Sequence, residues 1–198
     1  MSFWSTPANP TIADPKRKFR FYVEFQGLAE TPNPGALLWW AKTVNKPSFS
    51  TETATHEYLN YTFKYPGKVT WDDISLTLVD PVDPDMAATL SDILVQSGYS
   101  IPTDGTTTQM STLSKGKSAG ALGTVTITQV DSAGADLEKW TLNNAFITKV
   151  AYGDLAYGDD ALTEMTVTLA YDWASLSVTS EGSRLESPSQ PATTFFEA

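Results

Sequence analysis

Phe19, Phe21, Val23 and Phe25 alternate with Arg20, Tyr22, Glu24 and Gln26. A period of two sends successive side chains to opposite faces, so this segment predicts a half-buried strand with one aromatic face. Gly27 and the cluster Thr31-Pro32-Asn33-Pro34-Gly35 end it in a loop. Leu37 to Val44 is nearly continuous in apolar character, which predicts a second strand buried on both faces. Between Lys46-Pro47 and Pro66-Gly67 the pattern changes. Phe49 to Phe63 is polar, long and rich in β-formers (Thr51, Thr53, Thr55, Tyr58, Tyr61), which predicts an extended hairpin projecting beyond the core. Lys68 to Asp80 follows as a strand with Ile74, Leu76 and Leu78 on one face and Ser75, Thr77 and Val79 on the other.

A helix is predicted over about 84–97, with Asp83 as N-cap and Pro84 at the first helical position, where its missing N–H costs nothing. Met86, Leu90, Ile93, Leu94 and Ser97 form its stripe, and Gly98 supplies the stop. Residues 100–122, rich in Thr, Ser and Gly, predict a flexible loop. Beyond Gly123 come a strand at Thr124–Val130, a longer one from Leu137 to Val150 that bends at Asn143-Asn144, and a last one from Leu162 to Trp173. The last strand puts Met165, Val167, Leu169, Tyr171 and Trp173 on one face. The pattern amounts to about seven strands and one helix, a mainly β barrel or sandwich with a flanking α-helix, an extended hairpin and flexible termini.

Composition narrows the function. A chain of 198 residues supports one well-buried core and is short for two full-sized domains. The absence of cysteine removes disulfides and thiolate chemistry and fits a reducing compartment. The N-terminal stretch lacks the basic start and apolar run of a signal peptide, and no apolar stretch approaches the roughly 20 residues of a membrane helix, so a soluble protein with no membrane insertion is expected. A net charge of −10 disfavours tight binding to phosphate backbones, while passage of nucleic acid without sticking is compatible with it.

No catalytic inventory emerges, and neither a cofactor nor a metal is expected. The one histidine, His56, sits between Thr55 and Glu57 in the projecting hairpin, where a solvated side chain is expected rather than a base. Cys/His zinc spacing and a glycine-rich phosphate loop are both missing. Asp80, Asp83 and Asp85 are spaced loosely like a calcium loop, but Pro81 and Pro84 interrupt them and no distal glycine and glutamate follow. Asp72-Asp73 point to opposite faces of a strand, and Asp159-Asp160 lie in a loop with no sign of a sugar cleft. Tyr152-Gly153-Asp154 and Tyr157-Gly158-Asp159 read as loop chemistry.

Four segments together resemble the tail tube proteins of contractile-tailed bacteriophages: the opening strand Phe19–Phe25, the long polar hairpin after Val44-Asn45-Lys46-Pro47, the run Lys64–Asp80 leading directly into a helix, and the closing strand Met165–Trp173. The resemblance spans roughly residues 16 to 175; the loop 100–122 and the tail after 178 are longer than the family pattern. It implies a non-enzymatic virion protein whose copies pair strands sideways into hexameric rings, stacked into the inner tail tube around a tape-measure protein. The implied partners are other copies of the chain, the tail sheath protein, baseplate and tail terminator proteins, and viral DNA in transit without tight binding. Assembly is then expected in the bacterial host cytoplasm. On this reading residues 1–15 are an N-terminal arm, 16–178 the tube-forming domain and 179–198 a C-terminal tail. Lys46, Phe49, Thr53, His56, Tyr58 and Tyr61 of the hairpin are expected at the contact between rings, and Phe3, Trp4, Phe195 and Phe196 in contacts of the arms. The tube of a phage-like contractile injection or type VI secretion system is an alternative, as is a non-contractile tail tube. A monomeric β-barrel ligand-binding protein belongs to a different class.

Overall fold

In the computed structural model, residues 16–28, 41–83, 85–100, 112–158 and 160–178 are described. Two antiparallel sheets and a separate ribbon account for the strands among them. Strand β1 (Phe21–Phe25) keeps the predicted alternation, with Val23 and Phe25 buried. Phe19 lies before the strand and is exposed. A 3-10 turn at Gln26–Leu28 follows. Strand β2 (Ala41–Val44) is an outer strand with no fully buried residue, which corrects the expectation of burial on both faces; the Leu37–Trp40 part of that prediction lies outside the described residues.

The hairpin is longer than predicted. β3 spans Phe49–Tyr58 and β4 spans Tyr61–Trp71, so Pro66-Gly67 does not end the strand. The register shifts between Thr51 and Thr53, opposite Pro66 and Val69, and this bulge absorbs a proline that cannot donate to a ladder. The predicted run Lys68–Asp80 is therefore split, and β5 (Ile74–Val79) begins after a break at Asp72-Asp73. In β5, Ile74, Leu76 and Leu78 are buried as expected.

Helix α1 (Met86–Gln96) starts two residues later than the sequence suggested: the N-cap is Asp85, not Asp83, and its carboxylate accepts from the Ala88 N–H at 3.0 Å. Gly98, at φ +102°, stops it as predicted, because the left-handed region suits glycine. Leu94, placed on the buried stripe by the sequence, is exposed. The expected loop 100–122 contains a second helix, α2 (Lys115–Leu122), capped by Ser114. Its two glycines and low apolar content hid it, and its stability comes from outside: Lys115 Nζ meets both carboxylate oxygens of Asp172 at 2.7 Å, while Leu122 is buried.

β6 (Val125–Val130) and β7 (Asp136–Asn143) form a hairpin, and Asn144 at φ +55° then turns the chain into β8 (Phe146–Ala151). The predicted bend at Asn143-Asn144 is thus a change of sheet. β9 (Glu164–Ala170) buries Met165, Val167 and Leu169. Trp173 does not continue that face; it opens β10 (Trp173–Val178) in the other sheet and is exposed.

The sheets run β1-β6-β7-β10 and β2-β5-β9-β8, with β3-β4 apart. One apolar cluster joins them, with Val23, Val125, Ile127 and Leu142 from the first sheet and Ile74, Leu76, Leu78, Met165, Val167 and Leu169 from the second. Each such side chain contributes on the order of 1.5–3 kcal/mol on burial. Leu90 and Ile93 of α1 and Leu122 of α2 cap the cluster beside Phe25, Leu78 and Ile147. Among the described residues no helix is long and apolar enough to cross a membrane.

One backbone crossing fixes how the first sheet meets α2. A Cβ on Gly123, whose φ is +66°, would lie 2.2 Å from Gly27 N, and a Cβ on Gly27 would lie 2.5 Å from the Leu122 carbonyl carbon. Both positions need the missing side chain. Gly123→Ala is expected to destabilise the fold by more than about 1 kcal/mol, read as a lower Tm, since backbone clash and left-handed strain coincide there. An unchanged Tm would mean that the crossing is not a constraint.

Candidate functional site

The β3–β4 ribbon is where the structure departs most from a self-contained domain. Ten residues of β3, at about 3.3 Å each, reach roughly 30 Å. Every residue of β3, and every residue of β4 before Trp71, is exposed. The register gives the ribbon two unlike faces, because directly paired residues share a face. The pairs Ala54–Tyr65, His56–Phe63 and Tyr58–Tyr61 make an aromatic face, and Thr53–Pro66, Thr55–Lys64 and Glu57–Thr62 make a polar one. On the aromatic face Tyr58 is 63%, Tyr61 69%, Phe63 49% and Tyr65 55% exposed. At the tip Leu59 holds φ at +51° and is 85% exposed. A leucine in the left-handed region is strained and apolar at once, and such strain persists where a site over-determines it.

The root of the ribbon is fixed to the body in two ways. Phe49 packs on Trp71 with ring centroids 5.3 Å apart, and Trp71 packs on the buried Tyr171 at 5.9 Å. Beside this aromatic step, the Ser48 hydroxyl donates to Asp72 Oδ2 at 2.8 Å. The second fixing is ionic. Glu138, on β7, accepts from Lys46 Nζ at 2.8 Å and Trp140 Nε1 at 2.6 Å on one oxygen, and from Lys16 Nζ on the other. Lys46 also donates to Gln129 Oε1 at 2.8 Å, and Gln129 Nε2 donates to the Arg17 carbonyl.

Burial of Glu138 would by itself raise its pKa, but the bonds donated by Lys16, Lys46 and Trp140 hold it down to about 2. The Glu138 side chain is only 9% exposed, while the Lys46 and Lys16 ammonium groups are about half exposed, so the carboxylate is sheltered and solvent still screens the pairs in part. β10 adds to this convergence, because Val178 is the register partner of Glu138. The segment before β1, the ribbon root and the end of β10 therefore meet at one carboxylate.

The residues expected at a contact between rings are distributed unevenly over this unit. His56, Tyr58 and Tyr61 share the aromatic face, Thr53 lies on the polar face beside the bulge, Phe49 belongs to the root, and Lys46 is engaged within the chain by Glu138. Phe3, Trp4, Phe195 and Phe196 lie outside the described residues. Sequence reading missed Leu59, Phe63 and Tyr65 as members of the site, and Glu138 as its anchor. A two-residue turn at Leu59-Asn60 would have aligned Tyr58 with Tyr61 and His56 with Phe63, so the first three were accessible to register counting. Nothing local marks Glu138, which is 92 residues from Lys46. Among the described residues no group of three or more His, Cys, Asp or Glu side chains could hold a metal ion.

No family model matches the chain, and no curated protein matches it in sequence. Solved structures match it in shape. A chain of the sheath–tube complex of an extracellular contractile injection system, PVC, in its extended state superposes with a TM-score of 0.60 at 17% identity, covering 88% of this chain and 99% of that one. A chain in the tube-terminating cap of the anti-feeding prophage gives 0.60 at 16% identity, covering 90% and 100%. A chain in the baseplate of the same prophage gives 0.59 at 16% identity, covering 83% and 96%. At these identities the likeness is one of fold, and it extends over nearly the whole length of each matched chain.

The Glu138 clamp makes a pH-dependent prediction. Its folded pKa lies below the unfolded value near 4.5, so its contribution is fully present above about pH 4.5 and is lost as pH falls towards about 2. The stability gap between wild type and Glu138→Gln, from urea unfolding, is expected to be on the order of 2 kcal/mol at pH 7 and to close as pH approaches 2. A gap independent of pH contradicts the clamp.

Proposed function

We propose that this chain is the repeating subunit of a protein tube in a contractile-tailed particle, with no catalytic step of its own. The observation that carries the reading is the β3–β4 ribbon, which projects an uncovered aromatic face and an apolar, strained tip from a rigid root. Two-stranded ribbons are marginal in water without a covering surface, and exposed apolar patches of this kind mark interaction sites. Outer strands β1 and β10 of one sheet, and β2 and β8 of the other, offer further edges for pairing between copies. A heterologous contact that closes on itself gives a ring, and a second contact along the axis stacks rings into a tube. The fold shared with chains of PVC and of the anti-feeding prophage supports the same reading.

At finer grain the subunit forms hexameric rings of an inner tail tube. Sheath lies outside, baseplate and terminator proteins lie at the ends, and a tape-measure protein fills the lumen until viral DNA passes. The net charge of −10 suits a conduit that does not retain DNA. The likeness to injection-system chains favours a second version, in which the same tube serves a phage-like injection particle without a genome. Particles purified from producing cells separate the two: DNA-filled heads on sheathed tails support the first, headless sheathed tubes the second.

The tube itself is tested with the purified chain by negative-stain electron microscopy, where rings and tubes are expected. A monodisperse 21.5 kDa species at all concentrations supports a monomeric carrier instead. Two variants sharpen the test. Replacing Tyr58, Tyr61 and Phe63 together by Ser is expected to abolish long tubes while changing subunit stability by less than about 1 kcal/mol, because all three are exposed in the single chain. Leu59→Asn relieves left-handed strain, so it is expected to hold or raise the Tm while weakening tube formation. Normal tubes from the triple variant would remove the ribbon from assembly.

A further inference from the structure

The aromatic face of the β3–β4 ribbon has a candidate cover in the chain's own sequence. Tyr58, Tyr61, Phe63 and Tyr65 are all exposed there, and among the described residues no element packs on them. The described residues run to Val178, which closes outer strand β10. Val178 is the register partner of Glu138, and Glu138 Oε1 holds Lys46 Nζ at 2.8 Å, three residues before β3 begins. The segment that follows therefore sets out from the ribbon root. Residues 179–194 are rich in Ser, Thr and Pro, with Leu185 the one large apolar side chain, and the adjacent pair Phe195-Phe196 comes next. Seventeen residues separate Val178 from Phe195. As a flexible chain they span about 23 Å, and at full extension roughly 56 Å. The ribbon reaches roughly 30 Å. Tethering gives its highest effective concentration when coil span and distance match in this way.

We propose that Phe195 and Phe196 rest on the aromatic face of their own chain's ribbon and shield it until another surface displaces them. The match is apolar: aromatic rings gain on contact beyond the area they bury, and the ribbon offers a row of them. Charge does not steer the contact, because the ribbon balances Glu52 and Glu57 with Lys64 and Lys68. The cover consists of side chains and adds no strand, so the ribbon's main-chain edges stay open in the single chain. Residues 1–15 are the competing occupant, with Phe3 and Trp4, and they join the same carboxylate through Lys16. Three prolines stiffen the twelve residues from Trp4 to Lys16, against two in the seventeen after Val178, so reach along the ribbon favours 179–198. A tethered pair competes with whatever else binds this face, which makes it an autoinhibitory contact. The contact stands without the tube reading; its effect on assembly rests on that reading.

The contact is tested in the dilute single chain, where no tube is needed. The chain has no cysteine, so Thr194→Cys is combined either with His56→Cys on the aromatic face or with Thr55→Cys, its neighbour on the polar face. The two pairs share tether and reach and differ in face. On mild oxidation the His56→Cys pair is expected to close an intrachain disulfide at least about tenfold faster than the Thr55→Cys pair. Adding Phe195→Ser and Phe196→Ser is expected to erase that difference. Equal rates for the two pairs, a difference that survives the serine substitutions, or a disulfide formed chiefly between chains each overturns the proposal. A Ser5→Cys, His56→Cys chain that closes faster than the Thr194→Cys, His56→Cys chain overturns it in favour of residues 1–15. The effect on assembly is read separately, by light scattering. The variant with Phe195→Ser and Phe196→Ser is expected to shorten the lag several-fold and leave the final yield of tubes unchanged, whereas an unchanged or longer lag removes the autoinhibitory role. Wild type that forms no tube at any concentration sinks the tube reading instead, and the disulfide rates still decide the contact.

Discussion

A two-stranded ribbon cannot cover its own faces, and that constraint governs the rest of this molecule. In a sandwich, each sheet buries one face against the other, as β5 and β9 do here with Leu76, Leu78, Met165 and Val167. Among the described residues the β3–β4 pair has no second layer. Its polar face is content in water; its aromatic face is not. On the proposed reading, the free energy missing from the single chain is recovered when another copy covers the ribbon.

An unsupported ribbon of this length would spend that affinity on becoming ordered. The root reduces the loss. The aromatic step Phe49–Trp71–Tyr171 continues the ribbon into the core, and the Glu138 carboxylate holds Lys46 at the ribbon entrance. Because Glu138 also takes Lys16, and because Val178 pairs opposite it, the approach to β1 and the end of β10 are tied to the same point. Displacing one of these segments therefore disturbs the others. The rigid body around this point has the fold seen in chains of contractile injection particles.

Much of this was legible in the residues, where periodicity was strong. The alternation in β1, β5 and β9 located the core correctly, and Thr- and Tyr-rich residues between two proline sites announced the projecting hairpin. Failures arose where tertiary contacts overrode local signals. Pro66-Gly67 looked like punctuation, but a strand on a ribbon with open edges tolerates a proline at a bulge. α2 is poor in apolar residues; it is docked through buried Ala121 and Leu122, with an exposed Lys115–Asp172 ion pair 57 residues apart in sequence at its start. The Lys46–Glu138 pair was not legible, because a lysine beside a proline carries no mark of its distant carboxylate.

The central claim is that copies of the chain cover the ribbon's aromatic face. Amide hydrogen exchange across residues 49–71, compared between dilute single chains and assembled material, tests it most directly. The account predicts weak protection when dilute and strong protection on assembly. Assembled material whose ribbon amides exchange as freely as those of the single chain would contradict it.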